Sequence, residues 1–315
     1  MNHDSTTVGA APTVKEALRA VVAIAVTPFD DAGRIDENDY RTLVRLMVDG
    51  GITVVTTGGN TGEYYALSAE ERRRVVELTV ESAPRATVVA GVGLDLQTAA
   101  GDARAAIDAG ADCLMVHQPV HPYQSIDGWV AYHAELARSV PGVPLIPYVK
   151  DDRVDAAAMR SLLAACPDVV AVKYAVADPT RFADLVAETT ELDLVWLCGL
   201  AERWAPFFAP GGSDGFTSGL ATLDPGRSLR LDGALRRGDQ SATLAEWREI
   251  ARFEELRTRD RSQENVSVVK EALAQLGLCR RDVRPPITEV SDQVATEVGE
   301  IVASWNVAVP AGVSR

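Results

Sequence analysis

The chain has 315 residues, 47% of them hydrophobic, and a net charge of −14. That length allows one barrel-sized domain or two smaller ones, and the acidic balance excludes nucleic acid and anionic membranes as natural partners, since both need a basic face. No run approaches the ~18 consecutive apolar residues of a membrane span, so a soluble protein is expected. The first twenty residues hold Asp4, Lys15, Glu16 and Arg19 without an apolar run behind a basic start. Residues 1–18 therefore read as a flexible leader and not as a secretory signal. From residue 20, β-branched apolar runs predict strands at 21–28, 53–58, 87–93, 113–118, 144–149, 169–175, 194–199 and 214–218. Amphipathic stretches between them predict helices near 37–49, 68–83, 97–109, 126–139, 155–165, 179–189, 202–209 and 224–237. The second of these opens on Ser68-Ala69-Glu70-Glu71, a capping box whose Ser and Glu satisfy each other's orphan amides.

Continuous apolar strands alternating with helices imply a parallel sheet covered on both faces. Eight such units over residues 19–237 fit a (β/α)8 TIM barrel better than an open sheet. No G-x-G-x-x-G follows the first strand, which argues against a dinucleotide fold. Residues 238–315 read as a tail of about three helices, including 242–258 and 264–277, packed on the barrel's flank. Cys113, Cys166, Cys198 and Cys279 lie far apart, so buried thiols in a reducing cytoplasm are expected rather than a disulfide framework.

Only four of the 31 basic residues are lysines: Lys15, Lys150, Lys173 and Lys270. A lysine inside an apolar run thus calls for a reason that arginine could not satisfy. Lys173 ends the run Val169-Val170-Ala171-Val172, where barrel enzymes keep their chemistry. Desolvation there favours a neutral amine, able to condense with a ketone. The competing reading is a strand-end lysine that snorkels to solvent or pairs with Asp178. Gly58-Gly59-Asn60-Thr61-Gly62-Glu63 follows the second strand; its amides and the Thr61 hydroxyl could converge on a carboxylate, or it could be only a turn. Tyr148 ends the fifth strand, as a proton-carrying phenol or as a core-edge tyrosine. His117 and His121 lack further ligands, so a metal pair is disfavoured. Gly211-Gly212 and the stretch from Gly215 through Thr217 to Gly219 could cradle a phosphate, a weak reading.

In order and spacing these segments resemble the dihydrodipicolinate synthase and N-acetylneuraminate lyase family of class I aldolases. The resemblance runs from Ala25-Val26-Thr27-Pro28-Phe29 through Gly59 to Glu63, Tyr148, Val172-Lys173 and Gly215 to Gly219. It ends in Val269-Lys270-Glu271-Ala272-Leu273 and Arg284-Pro285-Pro286-Ile287-Thr288. It implies that Lys173 is the Schiff-base lysine, Tyr148 the proton-shuttling tyrosine and Thr61 the holder of the 2-oxo acid carboxylate. It also implies a homo-oligomer, dimer or tetramer, in the cytoplasm.

The departures concern the substrate. Where the synthase has two threonines after strand two, Asn60 replaces the first. Val120 and His121 occupy the usual tyrosine pair after strand four, one of which is lent by a neighbouring subunit, so the hydroxyl relay is absent. The loop Val149-Lys150-Asp151-Asp152-Arg153 is shorter than the synthase's arginine loop. Its Tyr-x-basic-Asp pattern, with Gly58-Gly59 and Glu63-Tyr64-Tyr65, resembles the ketodeoxyglucarate dehydratase branch. The expected activity is a lyase holding pyruvate or a keto-deoxy sugar acid as an imine on Lys173, with its carboxylate on Gly59, Asn60 and Thr61. Lys150, Arg153 or His121 would meet the distal half, and no metal or organic cofactor is required. The alternatives are 4-hydroxy-tetrahydrodipicolinate synthase itself, a phosphate- or metal-dependent barrel enzyme, and a non-catalytic 2-oxo acid sensor.

Overall fold

A computed structural model describes residues 13–307. Eight parallel strands close into a barrel in chain order, β1 pairing with both β2 and β8. The strands are β1 Val21–Ile24, β2 Val54–Thr57, β3 Thr87–Val92, β4 Cys113–Val116, β5 Leu145–Val149, β6 Ala171–Tyr174, β7 Val195–Cys198 and β8 Gly215–Ser218. Each is shorter than its predicted run by one to four residues, most of all β1, whose run continues into the buried Ala25 and Val26 at the carboxyl end. A helical turn, α1 (Val14–Ala17), precedes the barrel. Its outer helices are α2 Glu37–Asp49, α3 Ala69–Ser82, α4 Leu96–Asp108, α5 Ile126–Ser139, α6 Ala156–Ala165, α7 Pro179–Glu188, α8 Ala201–Phe208 and α9 Pro225–Arg236. Most begin where Asp or Ser can cap them: Asp36, Ser68, Asp95, Ser125, Asp155, Asp178 and Asp224 each accept backbone N–H groups of the first turn.

Two buried layers follow from the two-residue period of the strands. Val22, Val54, Val89, Met115, Ile146, Ala171, Val195 and Leu197 fill the lumen, and Tyr148 stands with them. Their neighbours, such as Val55, Val116, Val149, Val172 and Tyr174, face the helices. Leu18 is fully buried in the lumen cluster, below β1. The leader expected over residues 1–18 is therefore structured from Thr13 onward, since Leu18 plugs the amino end of the lumen; residues 1–12 lie outside the described residues. All four cysteines are buried and free.

Three more helices follow: α10 Gln240–Ser262, α11 Asn265–Gln275 and α12 Asp292–Trp305. α10 packs on α8 and α9, and Trp247 Nε1 donates to Arg203 O at 2.9 Å. Its last turn is broken: Arg259 is extended, and Asp260, Arg261 and Ser262 take φ of 48°, 60° and 63°. That reversal sends α11 away from the flank, where the whole tail was expected, and over the carboxyl end of the barrel. The buried pair Lys270–Glu63 fixes it there, and Glu63 also accepts Arg284 N–H at 2.9 Å. Among the described residues no helix is long and apolar enough to cross a membrane.

Candidate active site

A cavity of about 430 Å³ opens at the carboxyl end of the strands. Asn60, Thr61, Tyr148, Lys150, Lys173 and Thr217 all line it, so most of the residues singled out in the sequence converge. Tyr148 and Lys173 are register partners across β5 and β6, both pointing inward. The Lys173 Nζ lies 4.1 Å above the centre of the Tyr148 ring.

Lys173 is 2% exposed. Burial, reinforced by the nearby positive charge of Lys150, lowers its pKa to about 7. Asp178 does not pair with it; that carboxylate caps α7 instead. No carboxylate is placed against Lys173 among the described residues, so the amine stays a nucleophile in waiting. The Tyr148 phenol is pushed well above its ordinary pKa, chiefly by burial, and is thus a protonated donor at neutral pH. Asn60 Nδ2 donates to its oxygen at 3.4 Å, from the position where the synthase pattern has a threonine. An amide can orient the phenol but cannot pass a proton along as a hydroxyl does.

The turn after β2 is a 3₁₀ turn, Asn60–Gly62. Thr61 is buried within it, and Gly59 precedes it. Gly59 is not part of the cavity wall: a Cβ there would stand 2.6 Å from Ile24 Cγ2, so it serves close packing against β1. Thr217 Oγ1 donates to Cys198 O at 3.5 Å. Lys150 Nζ sits 5.8 Å from the Tyr148 ring centre, on the open side.

Besides Gly59, three expected residues lie elsewhere. Gly215 opens β8 against the Ala20 backbone and borders a separate cavity with Arg19 and Asp214, because a strand's first residue faces the amino end of the barrel. His121 is exposed, its Nδ1 accepting Tyr123 N–H at 3.1 Å. Arg153 is exposed and turned back on its own loop, 2.6 Å from Asp151 and 3.0 Å from Gln124 O. A short loop saturates this arginine with local acceptors before it can reach the cavity.

His117, read as one half of a disfavoured metal pair, is separated from His121 and fully buried. Its Nε2–H donates to Gly58 O at 2.8 Å and its ring stacks on Tyr64 at 4.3 Å. Burial first, then Lys173 and Lys150, lower its pKa to about 3, so it is a neutral spacer beneath the β2 turn. Among the described residues no group of three or more His, Cys, Asp or Glu could hold a metal ion.

The tail supplies walls that strand-by-strand reading did not collect: Glu254, Arg257, Asn265 and Val266 also line the cavity. The available signal was Glu254 and Arg257 three apart on a face that is otherwise apolar. Behind them Glu202 is fully buried, hydrogen-bonded by Ser218 and Ser228, with its pKa raised to about 7 by burial and by Glu254.

Known proteins resemble this chain in sequence and fold. A sequence profile described as "Dihydrodipicolinate synthetase family" matches residues 17–304. A probable 5-dehydro-4-deoxyglucarate dehydratase of Rhizobium rhizogenes is 28% identical, over 90% of this chain and 94% of its own. A 4-hydroxy-tetrahydrodipicolinate synthase of Bartonella bacilliformis is 31% identical, over 87% and 94%. Among solved structures, the dihydrodipicolinate synthase from Bacillus clausii superposes with a TM-score of 0.89 at 39% identity, covering 93% of this chain and 99% of that one. The one from Oceanobacillus iheyensis gives 0.87 at 37%, covering 91% and 96%. With a matched profile spanning barrel and tail alike, this chain belongs to the dihydrodipicolinate synthetase family.

Proposed function

We propose that the protein is a class I lyase that holds a 2-oxo acid, pyruvate or a keto-deoxy sugar acid, as an imine on Lys173. The observation that carries this reading is the buried Lys173 amine, poised near pKa 7 above the Tyr148 ring. In the proposed reaction the neutral amine adds to the C2 carbonyl. The carbonyl oxygen takes one proton from the attacking amine and a second from the Tyr148 O–H, leaves as water, and the iminium forms beside the resulting tyrosinate. That iminium draws electrons from C3, so a C3 proton, or a C–C or C–O bond next to it, can be broken. Nothing in these steps requires a metal or organic cofactor, because the covalent imine is itself the electron sink. Reaction in the cytoplasm as a homo-oligomer belongs to the same reading, supported by the four free buried thiols and by exposed Val120 and Tyr123 on the loop after β4.

Borohydride in the presence of pyruvate should add the reduced adduct's mass to the peptide containing Lys173, and Lys173→Ala should abolish it while the fold survives. Adduct formation that persists in that variant rules the reading out. A second reading, synthase activity with aspartate semialdehyde, is favoured by the identity to the Bartonella enzyme. It is weakened by Asn60 at the Tyr148 hydroxyl and by Arg153 folded back on Asp151.

A further inference from the structure

A chain of net charge −14 must supply its own positive charge to hold an anionic substrate. The tail brings one to the cavity. Arg257, on α10, is 2% exposed and forms part of the cavity wall. Its Nη1 donates to Glu254 Oε1 at 2.5 Å, its Nη2 to Asn265 Oδ1 at 3.0 Å and its Nε to Asn265 O at 3.4 Å. A guanidinium has five N–H groups in a rigid plane. One on each terminal nitrogen is left without an acceptor among the described residues.

Gly219 shows where that plane lies. The point at which a Gly219 Cβ would stand is 2.5 Å from Arg257 Nη2, and 3.1 Å and 3.2 Å from Thr61 Cγ2 and Oγ1. The guanidinium therefore crosses the carboxyl end of β8 through space that only glycine leaves, and arrives beside the Thr61 hydroxyl. Glu254 and Asn265 hold it flat and fixed. Glu202, next to Glu254, accepts hydrogen bonds from two serines and is held up to about 7, so the two acids do not both set full charge against one guanidinium.

We infer that Arg257 binds the substrate's C1 carboxylate jointly with the Thr61 hydroxyl, so that the anchor for the 2-oxo acid comes partly from the tail and not from the barrel alone. The inference rests on the 2-oxo acid reading. It makes the wall opposite Lys173 a charge-assisted, two-sided clamp, stronger than neutral donors alone. It also gives Gly219 a function beyond its turn.

The test compares borohydride adduct formation at Lys173 with pyruvate and with methyl pyruvate, an uncharged ketone of nearly the same shape. Removing Arg257 alone would strand the Glu254 charge, so the first variant is Glu254→Gln with Arg257→Gln, which keeps an amide pair in place. The second is Gly219→Ala, which removes no charge and whose Cβ presses on both the guanidinium and the Thr61 side chain, prising the two apart. In both, the half-saturating pyruvate concentration should rise about tenfold to a hundredfold, the range for a lost hydrogen bond to a charged group, while that of methyl pyruvate stays put. If the double variant does not fold, as judged by circular dichroism, Gly219→Ala decides. An unchanged preference for pyruvate over its ester in a folded variant overturns the inference. Loss confined to a longer sugar acid, with pyruvate unaffected, overturns it too, by placing Arg257 at the distal end. Wild-type protein that forms an adduct with neither ketone defeats the imine reading itself, an outcome distinct from both.

Discussion

Lys173 and Lys270 are both buried, yet their surroundings set them to different work. Lys270 is ion-paired to Glu63 and donates to Asp282 O at 2.7 Å, so its charge is used by the fold. Lys173 is buried with another cation nearby and no carboxylate against it among the described residues, so its charge is opposed. Since the neutral amine is the nucleophile, adduct formation should rise with pH through about 7 and then level off, as a single titration in a rate–pH profile. Lys150→Met removes a like charge, which lets Lys173 keep its proton longer; the midpoint should move to higher pH. A midpoint that stays put would mean that Lys150 is screened from the amine. Tyr148→Phe deletes one hydroxyl and little packing, so stability should change by about 1 kcal/mol in a denaturant titration. Turnover should fall by a far larger factor, ~10²–10⁴; a near-wild-type rate would hand the proton transfer to another group.

At the level of elements, the turn after β2 depends on a helix more than two hundred residues away. Glu63 sits at φ 58° between two 3₁₀ turns, and its carboxylate takes one bond from Lys270 and one from the Arg284 amide. Asn60 and Thr61 hang from the same turn. Lys270→Ala would leave Glu63 charged and buried without its partner, a loss of about 3–5 kcal/mol measurable by urea unfolding. Glu63→Gln combined with Lys270→Met should lose clearly less, because no charge is orphaned. Equal losses would show that the pair acts by packing alone. The strands themselves were legible in the sequence: a β-branched run flanked by a turn and an amphipathic stretch has few other solutions. Their ends were less so, because apolar residues run on past the ladder: Ala25 still donates its N–H to Thr56 O at 3.0 Å, and Val26 after it is fully buried.

For the whole molecule, barrel and tail share one site. A chain ending at Arg237 would lack Glu254, Arg257, Asn265 and Val266 from the cavity wall and would leave Glu63 without Lys270. Such a fragment should aggregate in size-exclusion chromatography and form no pyruvate adduct, whereas a monodisperse, adduct-forming fragment would show the tail to be dispensable. The sequence by itself determined the barrel, its strand order, and the strand-end positions of Tyr148 and Lys173, because an apolar run and the turn that ends it are local properties that survive folding unchanged. That both side chains point inward was decided by the closed barrel. The sequence put the turn holding Asn60 and Thr61 at the carboxyl end, since that turn follows a barrel strand, but which of its residues face the cavity was settled by packing: Asn60 and Thr61 do and Gly59 does not. Whether a given long, charged side chain enters the cavity was decided by the tertiary structure alone. Lys150 does and Arg153 does not, because Asp151 and the Gln124 carbonyl lie within reach of the second. Arg257 arrives from the last turns of α10, a helix that packs on α8 and α9 at the flank. The left-handed residues Asp260, Arg261 and Ser262 that follow it then redirect the chain, so that Asn265 on α11 meets the guanidinium. Long side chains choose partners by distance in space, and that distance is set only once α10 and α11 have packed.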